Sequence, residues 1–120
     1  MDYHVDRPAR LGPSVLISRI WYYVIIPILK INDAAAFKAG VLDKATATAA
    51  AMKAAGGNYV IRSEKFIPLD GNPPERLIIV KFDSIEQAQA YENSAALKEV
   101  TAARIKSTNS LSFIVEGNTN

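Results

Sequence analysis

The chain has no cysteine and a single histidine, His4. The first absence excludes a disulfide framework, a thiolate nucleophile and any zinc site built on sulfur. The second leaves no histidine cluster for a metal, no buried axial ligand for haem and no Ser-His or Cys-His pair for nucleophilic catalysis. No metal and no cofactor are therefore expected. Net charge is also scarce: 14 Lys and Arg against 12 Asp and Glu give +2, spread along the chain. Neither nucleic acid nor an acidic membrane surface is an expected partner. A long hydrophobic run is missing too. Arg19 interrupts the apolar segment at residues 15–31, and the stretch after it, residues 20–29, is about half of the ~20 residues that span a bilayer. Asp2 and Asp6 dilute any positive leader, so no signal or anchor is read and the expected location is cytoplasmic.

What is present suits one domain with one core: 120 residues, 49% hydrophobic and 22% charged. Residues 1–19, with Pro8, Gly12 and Pro13, read as an irregular arm, residues 118–120 as a tail, and residues 20–117 as the domain. Residues 20–29 are β-branched and aromatic on both alternating faces, so this strand needs cover on both sides. Pro27 requires a bulge or a neighbour that needs no donor. Asn32 or Asp33 caps a helix expected to run unbroken to about residue 55, where Gly56 and Gly57 stop it. Its stripe of Phe37, Val41, Ala45, Thr48 and Met52 reads as core. A second strand at 58–69 is charged at Arg62, Glu64 and Lys65, as an edge strand would be. Residues 70–74 form a turn, and 77–82 a strand apolar on both faces.

Ser84 and Gln87 make a capping box. The helix after it is expected to falter at Asn93 and Ser94 and to resume over residues 95–106. Thr108, Asn109 and Ser110 read as a break before a last strand at 111–116. The order β-α-β-β-α-β is that of the ferredoxin-like α+β unit, a four-stranded antiparallel sheet with the first and third strands central. Two helices cover one face of such a sheet. The other apolar face asks for a second copy, so a homodimer through the sheet faces is expected.

Arg104 is the sharpest local anomaly. It shares a helical face with Leu97, Val100, Thr101 and Ile105, so it is expected to be at least half buried between the second helix and the sheet. There it needs an acid, such as Glu64 or Asp83, or an anionic ligand. Arg62 and Arg76 stand on neighbouring elements, as an edge ladder with Glu64 or as part of the same site. Tyr22, Tyr23, Tyr59 and Tyr91 carry phenols that suit either local hydrogen bonds or a cleft. No carboxylate pair for acid–base work is evident, no phosphate-cradling loop is present, and residues 76–82 lack the aromatic pattern of RNA-stacking sheets.

Several of these pieces recur in one order. Gly56-Gly57 precedes a strand carrying Arg62; Pro74-Glu75-Arg76 leads into residues 77–82; Ser84-Ile85-Glu86-Gln87-Ala88 opens the second helix. Tyr91, Ser94, Arg104 and Val115-Glu116-Gly117 follow. On these residues the chain resembles, over about residues 20–117, the DUF1330 family of the dimeric α/β-barrel superfamily. It departs from the family pattern after Ser94, where Ala95, Ala96 and Leu97 replace the usual Pro-Glu-Tyr. It departs again after Arg62, where Ser63 and Glu64 replace glycines. The resemblance implies a ferredoxin-like homodimer closing a dimeric α/β barrel, with no established reaction and, from the superfamily, cofactor-independent chemistry such as oxygenation or isomerisation.

Arg104, Arg62, Arg76, Tyr91 and Tyr22 are the candidate ligand-binding residues. Two functional readings stay open: a protein holding a small organic acid or carbonyl compound between sheet and helices, catalytic or formerly so, and a non-catalytic dimeric binding or stress-related module. A deep cleft with Arg104 and a tyrosine hydroxyl favours the first; a cleft filled by Phe37, Met52 and Leu97 favours the second.

Overall fold

In the computed structural model, which describes residues 20–119, the sheet grows around β1 (Ile20–Ile31). The arm expected at residues 1–19 and the last residue of the expected tail lie outside the described residues. After β1 come α1 (Ala34–Gly40), a single 3-10 turn (Leu42–Lys44) and α2 (Ala45–Ala54). Strands β2 (Asn58–Ser63) and β3 (Arg76–Phe82) follow, then α3 (Ile85–Glu92), α4 (Ala95–Ser107) and β4 (Thr108–Thr119). The sheet order is β2-β3-β1-β4 and every pairing is antiparallel. This is the ferredoxin-like topology, with β1 and β3 central and β2 at an edge.

Strand β1 pairs with β4 residue for residue, from Ile20 opposite Thr119 to Ile31 opposite Thr108. Its ladder with β3 omits Ile26 and Pro27 while keeping one register on either side. The gap falls where proline has no N–H to give. Residues opposite one another share a sheet face. Tyr23, Ile25 and Leu29 of β1, with Val80 and Phe82 of β3, turn towards the helices and form the core with Met52, Ala88, Tyr91, Leu97 and Val100. The Phe82 and Tyr91 rings meet at 5.6 Å between centroids.

The first crossover is not one helix. Asp33 caps α1 by accepting from Ala36 N at 3.0 Å, but the helix ends at Gly40. A Cβ on Gly40 would stand 2.5 Å from Ala103 Cβ of α4. The glycine costs α1 its continuity and gives close approach of two helices, and the chain then turns through Leu42–Lys44 before α2 begins. In the second crossover Ser84 Oγ accepts from Gln87 N at 3.1 Å, and Gln87 Oε1 accepts from Asp83 N at 3.0 Å. Ser94 caps α4 through Leu97 N at 3.3 Å.

Two strand limits differ from expectation. β2 ends at Ser63, not residue 69: past it Ser63 Oγ bonds Lys65, and residues 64–75 form a loop returning where Glu75 ties to β1. β4 begins at Thr108, with no break after α4, and runs past residue 116 to Thr119, through most of the expected tail. The fully buried Ser107 makes this junction possible. Its hydroxyl returns to Ala103 O at 2.8 Å, and its carbonyl accepts from Asn32 N at 2.8 Å and Asp33 N at 3.2 Å. No helix among the described residues is long and apolar enough to cross a membrane.

Gly57 sits where α2 meets the sheet: a Cβ there would come within 2.6 Å of Phe82 Cε1 and 2.9 Å of Met52 Cγ. Gly57→Ala is therefore expected to lower stability by about 1–3 kcal/mol through overpacking, read as a lower urea midpoint at unchanged slope.

Candidate functional site

Between the helix-facing side of the sheet and the helices lies a cleft of about 110 Å³. Ile25, Leu29, Ile78 and Val80 form its apolar floor; Phe37 and Val41 on one side, Leu97 and Val100 on the other, form its walls. The stripe of the first crossover thus divides. Phe37 and Met52 are core, while Val41, Ala45 and Thr48 border open space.

Three guanidiniums face this apolar cleft: Arg62 from β2, Arg76 from β3 and Arg104 from α4, with Tyr59, Tyr91 and Glu92 beside them. The Arg62 guanidinium lies 4.6 Å over the Tyr59 ring, on an exposed residue at the border of the cleft. Arg76 stands at the start of β3, with its side chain only 17% exposed. Its Nη2 pairs with Glu64 Oε1 at 3.2 Å, and its Nε is buried with no hydrogen-bond partner. Arg104 is half buried, as its place among Leu97, Val100 and Ser107 requires. It donates from Nη1 to Ser110 Oγ at 2.9 Å. The acid nearest in effect is Glu92, not Glu64 or Asp83; Glu64 belongs to Arg76. Burial works against the Arg104 charge and lowers its pKa, opposed by the field of Glu92.

Glu92 shows the converse. Burial pushes its carboxyl above the ordinary range, and Arg104 pulls it back only in part. Tyr91, buried beneath it, has its phenol pushed up by burial first, then by Tyr59 and Glu92.

Tyr22 is not in the cleft. It lies on the other face of the sheet, its ring packed on Gly117 and 4.7 Å below Lys81 Nζ. One residue of register along β1 decides this, since neighbours on a strand point opposite ways. Sequence reasoning passed over Glu92. The signal was available: Ile85, Ala88 and Glu92 stand at helical spacing on one face of α3, the argument that singled out Arg104 on α4. Among the described residues no three His, Cys, Asp or Glu side chains gather to hold a metal.

That same sheet face carries Val24, Ile26 and Ile28 of β1, Ile79 of β3, and Leu111, Phe113 and Val115 of β4. Leu111 is 66% and Phe113 43% exposed.

The family model described as Domain of unknown function (DUF1330) matches residues 22–118. Among solved structures, a protein of unknown function from Rhodopseudomonas palustris is 12% identical with a TM-score of 0.61, covering 98% of this chain and 92% of that one. A candidate antibiotic biosynthesis monooxygenase from Caulobacter crescentus CB15 is 15% identical with a TM-score of 0.55, covering 83% of this chain and 90% of that one. At such identities the likeness is one of fold. Among curated proteins there is no match.

The shifted carboxyl gives a measurable sign. Glu92 has a folded-state pKa above its unfolded one, so the native state holds the proton more tightly and stability falls as pH rises from the ordinary carboxyl value through the raised one. Glu92→Gln should therefore raise the melting temperature at about pH 8 and leave it nearly unchanged at about pH 4, where the wild-type carboxyl is already largely protonated. Thermal unfolding at the two pH values reads this directly.

Proposed function

The chain belongs to the DUF1330 family, and from that premise we propose that it is a cytoplasmic homodimer that holds a small organic acid or acidic carbonyl compound in the cleft between sheet and helices. Any chemistry there uses no cofactor. The observation that carries the reading is the state of Arg76 and Arg104. Both are partly withdrawn from water beside the same cavity: Arg76 pairs with Glu64 through Nη2 but leaves a buried Nε without a partner, and Arg104 meets a serine hydroxyl where an acid would be expected. Guanidinium donors left this way give up solvation that an anion's acceptors would return. Arg62, held over Tyr59, adds a third donor group, and the aliphatic floor suits an apolar body behind the acid group.

The alternative of a non-catalytic module with a filled cleft is weaker. Phe37 and Leu97 line the space without closing it, and Arg104 and Tyr91 border it. The superfamily's cofactor-independent chemistry and the candidate monooxygenase among the structural matches are compatible with the reading, but the arginines support it.

The homodimer is supported by the open sheet face. Apolar residues contributed by β1, β3 and β4 form one contiguous surface of a kind that monomers seldom leave to solvent. A second copy of the same face is its self-complementary cover.

Titration calorimetry with medium-chain and aromatic carboxylates tests the binding. Arg104→Met should weaken the best of them by about tenfold or more, the worth of one charge-assisted hydrogen bond, while the unliganded protein melts no lower. Uniformly undetectable binding by wild type would remove the proposal. For assembly, Phe113→Lys should shift the sedimentation coefficient from dimer to monomer at micromolar concentration, since it sets a charge in the centre of the apolar face.

A further inference from the structure

Three guanidiniums around one cleft would ordinarily draw in a neighbouring carboxylate as an ion pair. Glu92 is not drawn in. It lines the arginine cleft and also an adjoining space of about 130 Å³ against Ile25, Ser112, Phe113 and Ile114. It feels the charge of Arg104. Yet among the described residues its carboxylate is in no ion pair and accepts no hydrogen bond. Glu92 and Arg104 border the same empty volume and form no ion pair with each other. Among the described residues, every other titratable group facing that volume is a cation or a phenol. These are Arg62 and Tyr59 from β2, Arg76 from β3, Arg104 from α4, and Tyr91 from the helix of Glu92 itself. β1, β4 and the α1–α2 wall present only apolar and hydroxyl side chains. The cleft thus has anion-binding donors and one proton acceptor, which is the composition of a site that removes a proton from an acid it holds.

We propose that Glu92 is the general base of this cleft. It takes a proton from the carbon beside the ketone of a 2-oxo acid whose carboxylate is held by Arg76 and whose ketone oxygen faces Arg104. The inference rests on the acid-binding reading above and adds the reaction to it. The C–H bond breaks and an O–H bond forms on Glu92. The electron pair enters a C=C bond, and the carbonyl pair moves onto oxygen as an enolate next to the Arg104 guanidinium. Return of the proton from Glu92 to the enolate oxygen or to carbon completes a tautomerisation in which nothing is oxidised or reduced and no co-reactant is consumed. Half burial suits the task, because a carboxylate with an elevated proton affinity is a stronger base than one in water.

The test uses 4-methyl-2-oxopentanoate in deuterium oxide, with binding followed by saturation-transfer NMR and loss of the C3–H signal followed by proton NMR. Wild type should bind the acid and exchange its C3 protons faster than buffer does, at a rate that climbs with pH through a midpoint above the ordinary carboxyl range. Glu92→Gln should bind as well or more tightly, since a like charge is removed, while the protein-catalysed exchange falls by about 100-fold or more. Glu92→Asp should recover part of it. Wild type that binds without exchange, or Glu92→Gln that exchanges like wild type, overturns the general base and leaves acid binding standing. Wild type that binds neither this acid nor any other carboxylate overturns both.

Discussion

The structure depends on one constraint: strands β1 and β3 are apolar on both faces, and both faces must leave water. A strand that alternates apolar with polar needs cover on one side only. Here the helix-facing residues Tyr23, Ile25, Leu29, Val80 and Phe82 are satisfied within the chain, while Val24, Ile26, Ile28 and Ile79 on the reverse are not. The crossovers supply one layer, and they leave one sheet surface without a partner of the chain's own making. The open sheet face and the internal cleft thus come from the same two strands, one on each side.

The cleft is a second consequence. Helices lie on a twisted sheet without filling every hollow, and between α1, α4 and the sheet the gap lies over Pro27, where the β1–β3 ladder is itself interrupted. An apolar hollow would be a packing defect. This one is bordered by Arg62, Arg76 and Arg104, and burial works against the charge of the half-buried Arg104. Glu92 offsets that cost only in part, because burial holds its own charge in check. If the cleft holds an acid as proposed, ligand affinity and intrinsic stability are set against each other in the same few side chains, as at many binding sites.

Most of the fold was legible because the local signals agreed. The caps at Asp33 and Ser84, the falter at Asn93 and Ser94, the two-faced strands and the charged second strand all point to one topology, and the structure contains it. The misread boundaries have tertiary causes. Gly40 looked like a weak point inside a helix; its meaning is the nearness of Ala103, more than sixty residues away in sequence. Thr108, Asn109 and Ser110 carry turn-forming side chains, yet the β1 ladder holds them as strand. Of the site, Arg104 could be placed by helical spacing alone. Tyr22 could not, because only the pairing register decides which of two adjacent tyrosines faces inwards. Glu92 was missed for a simpler reason: an acid at a helix end looks ordinary until its neighbours on the stripe are counted.

The direct passage from α4 into β4 has a consequence for how sequences of this kind diverge. Ser107 ends the helix, Thr108 opens the strand, and the carbonyl between them holds the amides of Asn32 and Asp33. There is no slack at this joint. An insertion or deletion of one residue there would turn every side chain of β4 over, sending Ser110, Ser112 and Ile114 outwards and Leu111, Phe113 and Val115 in. Both faces of the molecule would be lost in one step. Residues 64–75, by contrast, are anchored at their end by Glu75 and can change length without moving a strand. Natural variants should accumulate their gaps in that loop, and the helix-to-strand joint should keep its length even where its residues drift.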